Sequence, residues 1–312
     1  MAVASRLRHF VSIADLDRDE LAVLLEQSAR LKGDRSARRD LAGRTVALIF
    51  EKPSLRTRLS FDVAVAQLGG HCVYLSPAEV GLGRRESVSD VARVVSRMAD
   101  AVVLRVNAHE TIEEFARFSE APVINGLSDL SHPCQGLADI FTIRERKGPD
   151  LRGVVIAYIG DGNNVAHSLM LCAAKTGASL RIATPAGYEP APRYRDLAGA
   201  AARASRAEVT IGNDPVAAVT GADVVYTDVW TSMGQEQEYE RRRRAFHGFQ
   251  LNGQLLSRAK PDAIVLHDLP AHRGEEITDE VIDGPQSAVF DQAENRLHTE
   301  KALLCWLLGG ER

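Results

Sequence analysis

Val46-Ala47-Leu48-Ile49-Phe50, followed after three residues by Ser54-Leu55-Arg56-Thr57-Arg58 and then by Leu59-Ser60-Phe61-Asp62-Val63-Ala64-Val65-Ala66, reads as a strand, a short turn and a helix. An unbroken apolar run of this length suits a strand covered on both faces. Two hydroxyls and two guanidiniums stand where the strand becomes a helix. A helix start presents unpaired N–H groups and partial positive charge, which suits an anion, and arginine adds bidentate donors shaped for phosphate. Read alone, the same turn is equally a capped helix with surface arginines.

The strand–helix alternation extends in both directions. Asp17-Arg18-Asp19-Glu20 has the form of a capping box, and Leu21, Leu24, Leu25, Ser28 and Leu31 follow at helical spacing. Short apolar runs at 46–50, 72–75, 101–104 and 122–124 predict buried strands, and Ser87-Val88-Ser89-Asp90 caps a helix leading to Arg97. After Gly148 the pattern repeats, with strands predicted at 154–159, 180–183, 208–211, 224–226 and 263–266. This predicts the α/β class: two doubly wound domains, each with a central parallel sheet flanked by helices. The boundaries expected are 1–147 for the first domain and 148–289 for the second, with about 290–312 returning to the first. A helix over 132–147 is expected to link the two sheets. A last helix is expected over 300–308, where Leu303, Leu304, Trp306, Leu307 and Leu308 are too apolar to stand in water. The arginines at 241–244 read as the solvated face of a helix.

Composition narrows the function. The chain has 312 residues, 45% hydrophobic and 26% charged, and a net charge of −4, an ordinary globular balance that argues against general nucleic-acid or membrane-surface binding. No apolar run approaches the roughly 20 residues needed to cross a bilayer, and the N-terminal stretch lacks the apolar core of a signal peptide. Cys72, Cys134, Cys172 and Cys305 are far apart, without C-x-x-C or zinc spacing, so a reduced, cytoplasmic setting is expected. Gly160-Asp161-Gly162 invites a dinucleotide reading, but Val165 stands where the third glycine of that fingerprint belongs.

A second polar motif, Ser131-His132-Pro133-Cys134-Gln135, opens another helical run. Pro133 fits a first helical turn, and His132 and Gln135, three apart, can face one site. Together the S-x-R-T-R and H-P-x-Q motifs resemble the carbamoyl-phosphate half-site of the aspartate/ornithine carbamoyltransferase family. Asp228-Val229-Trp230-Thr231-Ser232-Met233-Gly234 is similar to the D-x-x-x-S-M-G motif of the family's ornithine branch. Asp161-Gly162-Asn163-Asn164 and Glu294-Asn295-Arg296-Leu297-His298 are similar to two further family motifs, and all stand in family order from about Phe10 to Leu308.

The resemblance implies carbamoyl transfer from carbamoyl phosphate to the side-chain amine of L-ornithine, giving L-citrulline and phosphate in arginine biosynthesis. It implies no metal or organic cofactor, a homotrimer, and a last helix packed back on the first domain. Ser54, Leu55 through its backbone, Arg56 and Thr57 are the candidates for the phosphate. Arg105, just past a strand end, with His132, Thr57 and Arg296, are candidates for the carbonyl oxygen, and Gln135 for the amide nitrogen. Asp268 and Leu269 offer backbone carbonyls to the same NH2. Asn164, Asp228, Ser232 and Met233 are the candidates for ornithine. Arg105, His132, Asp228 and Asp268 form the expected catalytic set. Each has a plainer use: an ion pair for Arg105, a helix cap for His132, a bridge to Glu294 or Asp291 for Arg296, a turn for Asp228. Arg58, two residues after Arg56, points to another face and is left out. Arg84 and Arg85 lie in a loop that in relatives reaches a neighbouring subunit's site; here they read equally as solvated.

One position departs from the family pattern. His267-Asp268-Leu269-Pro270 stands where the family has H-C-L-P, so a carboxyl replaces a thiol. Two other readings therefore stay open: transfer to another amine acceptor, or a catalytically weakened homologue.

Overall fold

The computed structural model describes residues 7–34, 38–232 and 234–309. Met233, one of the candidate ornithine contacts, lies outside them. The chain divides into two compact units, Met1–Cys134 with Arg296–Arg312, and Gln135–Asn295.

The first unit holds four parallel strands: β1 (Thr45–Phe50), β2 (His71–Leu75), β3 (Ala101–Arg105) and β4 (Val123–Leu127), in the order β2-β1-β3-β4. The chain leaves β1 for β2 on one side and later returns to pair β3 on the other. With right-handed crossovers, that reversal puts helices on both faces. β1 and β3 are almost wholly buried, which is why their sequences are unbroken apolar runs. Ala47, Ile49, Val102 and Leu104 join Val91, Ile112 and Phe115 from flanking helices in one core.

The second unit holds five parallel strands: β5 (Val155–Ile159), β6 (Ser179–Ala183), β7 (Val209–Gly212), β8 (Val224–Thr227) and β9 (Ile264–Leu266), in the order β7-β6-β5-β8-β9. The reversal here falls between β5 and β8. Its core gathers Ala157, Ile159, Val225 and Val265 against Trp230, Phe246, Leu251 and Val281. In open sheets of this kind ligands bind outside the carboxyl ends of strands at the reversal. The candidate sites are thus the ends of β1 and β3 and the ends of β5 and β8.

The strand at 72–75, expected to be buried, is the edge strand β2 and has no buried residue. Two further expectations need correction. The last helix runs over Val289–Leu308, eleven residues longer at its start than the predicted 300–308, so Arg296 lies inside it. Its early buried face is Gln292, Asn295, Arg296, Thr299 and Glu300, and polar residues at helical spacing leave no apolar period to read. From Ala302 to Leu304 the face turns apolar and fully buried within the first unit. The second correction concerns 241–244. Arg242, in the helix Tyr239–Ala245, is buried, and its Nη1 donates to Asp161 Oδ2 at 2.8 Å and to the Trp230 carbonyl at 3.1 Å.

Candidate active site

In the first unit the helix Leu55–Gln67 starts five residues after β1 ends. Ser54 is its N-cap, and its hydroxyl accepts from Thr57 N at 3.3 Å. Thr57 is wholly buried, and its Oγ1 accepts from Arg296 Nη2 at 2.9 Å and from Arg105 Nη1 at 3.5 Å. With two guanidiniums supplying its acceptor side, the threonine hydrogen is left to donate. Arg105 is the last residue of β3, in register with Phe50, so the sheet itself holds it beside the helix start. Arg58 pairs with Asp62 at 3.7 Å and lies over the Tyr74 ring at 3.9 Å, turned to another face of the helix.

His132 reaches the same place from β4. Asn125 Nδ2 donates to the Ser131 carbonyl at 3.4 Å, Ser128 N donates to it at 2.9 Å, and the turn so fixed delivers His132 to the start of the helix Pro133–Lys147. Arg296 Nη1 lies 3.5 Å from His132 Nε2. Burial first, then the charges of Arg296, Arg105 and Arg56, hold the His132 pKa well below its ordinary value. The ring is neutral at physiological pH and suited to orient or polarise a carbonyl rather than to carry charge. The first unit thus assembles Thr57, Arg105, His132 and Arg296 into one cationic cluster, with Arg56 at the second position of the adjoining helix.

Sequence reasoning missed Glu300, one helical turn beyond Arg296. Its Oε1 accepts from Arg296 Nε at 3.3 Å and Nη2 at 3.2 Å. Burial pushes Glu300 up to about 7, against the pull of Arg296 and Ser60. An unfolded glutamate titrates near 4.3, so the unfolded chain releases its proton first and the glutamate costs stability as pH rises from about 4 to about 7. Glu300→Gln should therefore gain stability over the wild type between pH 5 and pH 8, on the order of 2–3 kcal/mol. Thermal melting at both pH values checks this; a gap independent of pH contradicts it.

In the second unit the turn after β5 carries Gly160-Asp161-Gly162-Asn163. A Cβ at Gly162 would lie 2.3 Å from Pro190 N, so only glycine fits there. Asn163 caps the helix Asn164–Thr176 by accepting from Val165 N and Ala166 N. Its Nδ2 donates to Asp228 Oδ2 at 2.6 Å. Asn163 thus holds Asp228, whereas Asn164, the neighbour chosen from sequence, accepts Val165 N at 3.0 Å with its own side chain. Asp228 follows β8 directly, is nearly buried, and its Oδ1 accepts from Val229 N at 2.7 Å. Ser232 lies further along this loop, where its N–H donates to Gln235 Oε1 at 3.2 Å.

β9 delivers His267-Asp268-Leu269-Pro270. Side-chain ligand atoms of Asp228, His267 and Asp268 all lie within 4.8 Å of one another. Burial, and next the Asp268 charge, raise Asp228 well above the ordinary carboxylate range. Two such carboxyls share a proton when no cation lies between them. Burial opposes a charge on His267, while Asp268 and Glu276 outweigh it and push the ring up to about 9. The hydrogen bonds speak for a neutral ring in this arrangement: Nδ1 accepts Leu269 N–H at 2.9 Å, and Nε2 faces Glu276 Oε1 at 3.1 Å. The Asp268 oxygen is farther from Nδ1, at 3.5 Å. Two carboxyls in one cluster give this place the charge that suits a cation. Gln135, also in this unit, is buried on the helix Pro133–Lys147. Arg85, in the loop before Ser87, donates to the Glu79 carbonyl at 2.8 Å, a local use.

Residues 8–145 match the family profile described as aspartate/ornithine carbamoyltransferase, carbamoyl-P binding domain, and residues 152–307 match its Asp/Orn binding domain. The chain belongs to the aspartate/ornithine carbamoyltransferase family. Among relatives in this family, the ornithine carbamoyltransferase of Acidothermus cellulolyticus is 55% identical over 303 residues, covering 97% of each chain. The anabolic ornithine carbamoyltransferase of Pyrococcus furiosus is 50% identical over 313 residues, covering 99% of both chains. The solved ornithine carbamoyltransferase from Pyrococcus furiosus superposes with a TM-score of 0.95 at 50% identity, covering 99% of this chain and all of that one. The family's two-sheet architecture, expected from the motifs, is the one observed. Among the described residues no helix is long and apolar enough to cross a membrane.

Proposed function

We propose that this chain transfers the carbamoyl group of carbamoyl phosphate to the side-chain amine of L-ornithine, giving L-citrulline and phosphate in the anabolic direction. The observation that carries this reading is near-complete, half-identical similarity to ornithine carbamoyltransferases, one of them named anabolic. In the first unit, Ser54, the Leu55 N–H, Arg56 and Thr57 hold the phosphate. Arg105, His132, Thr57 and Arg296 surround the carbonyl oxygen, where negative charge grows as the amine attacks. In the second unit, Gln135 and the Asp268 and Leu269 carbonyls accept from the carbamoyl NH2. Asp228 anchors the ornithine amine, with Asn163, Asn164, Ser232 and Met233 around the amino acid.

The neutral amine attacks the carbamoyl carbon, the bond to the phosphate oxygen breaks, and the leaving phosphate takes the amine's proton. Carbamoyl phosphate is already activated, so positioning and electrostatics suffice without a metal or organic cofactor. A free alkylamine with a pKa near 10.4 is neutral only about once in 2,500 molecules at pH 7, so the site's control of that proton sets the rate.

A homotrimer is part of this proposal. The helix Leu55–Gln67 leaves Leu55 75% and Leu59 58% exposed one turn apart, an apolar surface for another copy. So is a cytoplasmic setting, which the four free cysteines fit. Asp268 beside Asp228 favours one second reading: a carbamoyltransferase for a different amine.

Asp228→Asn tests the acceptor assignment. Steady-state rates should show a severalfold rise in KM for ornithine, limited because Asp268 keeps a carboxylate in the cluster, while KM for carbamoyl phosphate stays within twofold. An equal loss for both substrates would make Asp228 a structural residue.

A further inference from the structure

Asp139 is wholly buried on the helix Pro133–Lys147, one turn after Gln135. A single oxygen, Oδ1, accepts three donors: Gln135 Nε2 at 2.8 Å, Gln292 Nε2 at 2.6 Å and the Tyr226 hydroxyl at 3.4 Å. Gln292 Nε2 also donates to the Tyr226 oxygen at 3.1 Å, and Gln292 Oε1 accepts from His267 N at 2.9 Å. One carboxylate thereby touches a proposed carbamoyl contact directly. Through Gln292 it also fixes the backbone just before Asp268 and Leu269, whose carbonyls are the other proposed contacts.

A glutamine amide has ends of nearly equal shape and opposite hydrogen-bonding sense, so something must decide which end faces a ligand. Burial pushes Asp139 up to about 7, so at pH 8 it is ionised, and an ionised carboxylate only accepts. It binds the NH2 ends of Gln135 and Gln292 and repels their carbonyl ends. The Gln135 carbonyl is therefore turned away from Asp139, and the Gln292 carbonyl is turned to His267 N. What distinguishes the carbamoyl group from an acetyl group of the same size is its NH2, a donor that needs acceptors. We propose that Asp139 is a positioning residue that orients the acceptors of the carbamoyl NH2 and so makes the site select carbamoyl phosphate over acetyl phosphate. This inference rests on the assignment of Gln135 and the Asp268–Leu269 carbonyls to that NH2.

The test uses the full chain at pH 8, with KM for carbamoyl phosphate and the competitive Ki of acetyl phosphate measured for each variant. Asp139→Asn, whose amide no longer imposes one orientation, should raise KM for carbamoyl phosphate about five- to tenfold and leave the acetyl phosphate Ki within twofold. Gln135→Ala should show the same selective loss, and adding Asp139→Asn to it should raise KM little further, because the first change has removed the group through which the second acts. Gln292→Met carries the same test if Asp139→Asn does not fold: it should also lose carbamoyl selectivity. Equal weakening of both phosphates in Asp139→Asn, or in Gln292→Met standing in for it, overturns the inference while a selective Gln135→Ala keeps the site assignment. Equal weakening in Gln135→Ala overturns the assignment itself, and the inference with it.

Discussion

Asp268→Cys is expected to raise kcat with ornithine about tenfold or more and to move the pH optimum downward. Asp228 and Asp268 lie in one cluster, and after burial the Asp268 charge raises Asp228 further. An amine entering between them arrives as ammonium and is stabilised as ammonium by both. Every unit by which its pKa rises is about 1.4 kcal/mol and leaves roughly tenfold less neutral nucleophile. A neutral thiol at 268 removes one of the two charges, keeps the backbone carbonyl and lets the amine lose its proton at lower pH. Asp268 as a general base is the competing idea. A carboxylate far less basic than the amine abstracts its proton poorly, so charge stabilisation dominates. A pH profile of kcat for both proteins decides: a variant slower than wild type would make Asp268 a working part of the site and send the search to other amines.

Arg56→Ala should raise KM for carbamoyl phosphate about 10- to 150-fold, the equivalent of about 1.5–3 kcal/mol for one charge-assisted contact to phosphate. Arg56 is half-buried at the second position of the helix Leu55–Gln67. Its loss should leave thermal stability nearly unchanged, so the effect reads as binding. Its charge also helps to keep His132 neutral, so the His132 pKa should rise toward its ordinary value in the variant. Initial rates with varied carbamoyl phosphate check the first expectation, and an unchanged KM contradicts it.

The inner strands were legible because they are covered on both faces. Runs such as Val155–Ile159 and Ala101–Arg105 carry no polar residue to break the apolar signal until the last residue of β3, Arg105, which is a functional candidate. The same signal failed at the start of the last helix, where Gln292, Asn295 and Arg296 are buried by hydrogen bonding instead of by hydrophobicity. Partners of known candidates were invisible for a related reason. Glu300, Asn163 and Asp139 matter through what they hold, and a local sequence window gives no sign that Asp139 meets Gln292, 153 residues away. Arg242 shows the converse, a charge run whose one buried member is chosen by Asp161 in another part of the chain.

The most direct measurement of the central claim is citrulline formation by the purified protein supplied with carbamoyl phosphate and ornithine. Citrulline and phosphate should appear together in a one-to-one ratio, with no added metal or cofactor, and ornithine should be used faster than longer or hydroxylated basic amino acids. Phosphate release without citrulline, or faster carbamoylation of one of those other amines, would contradict the claim.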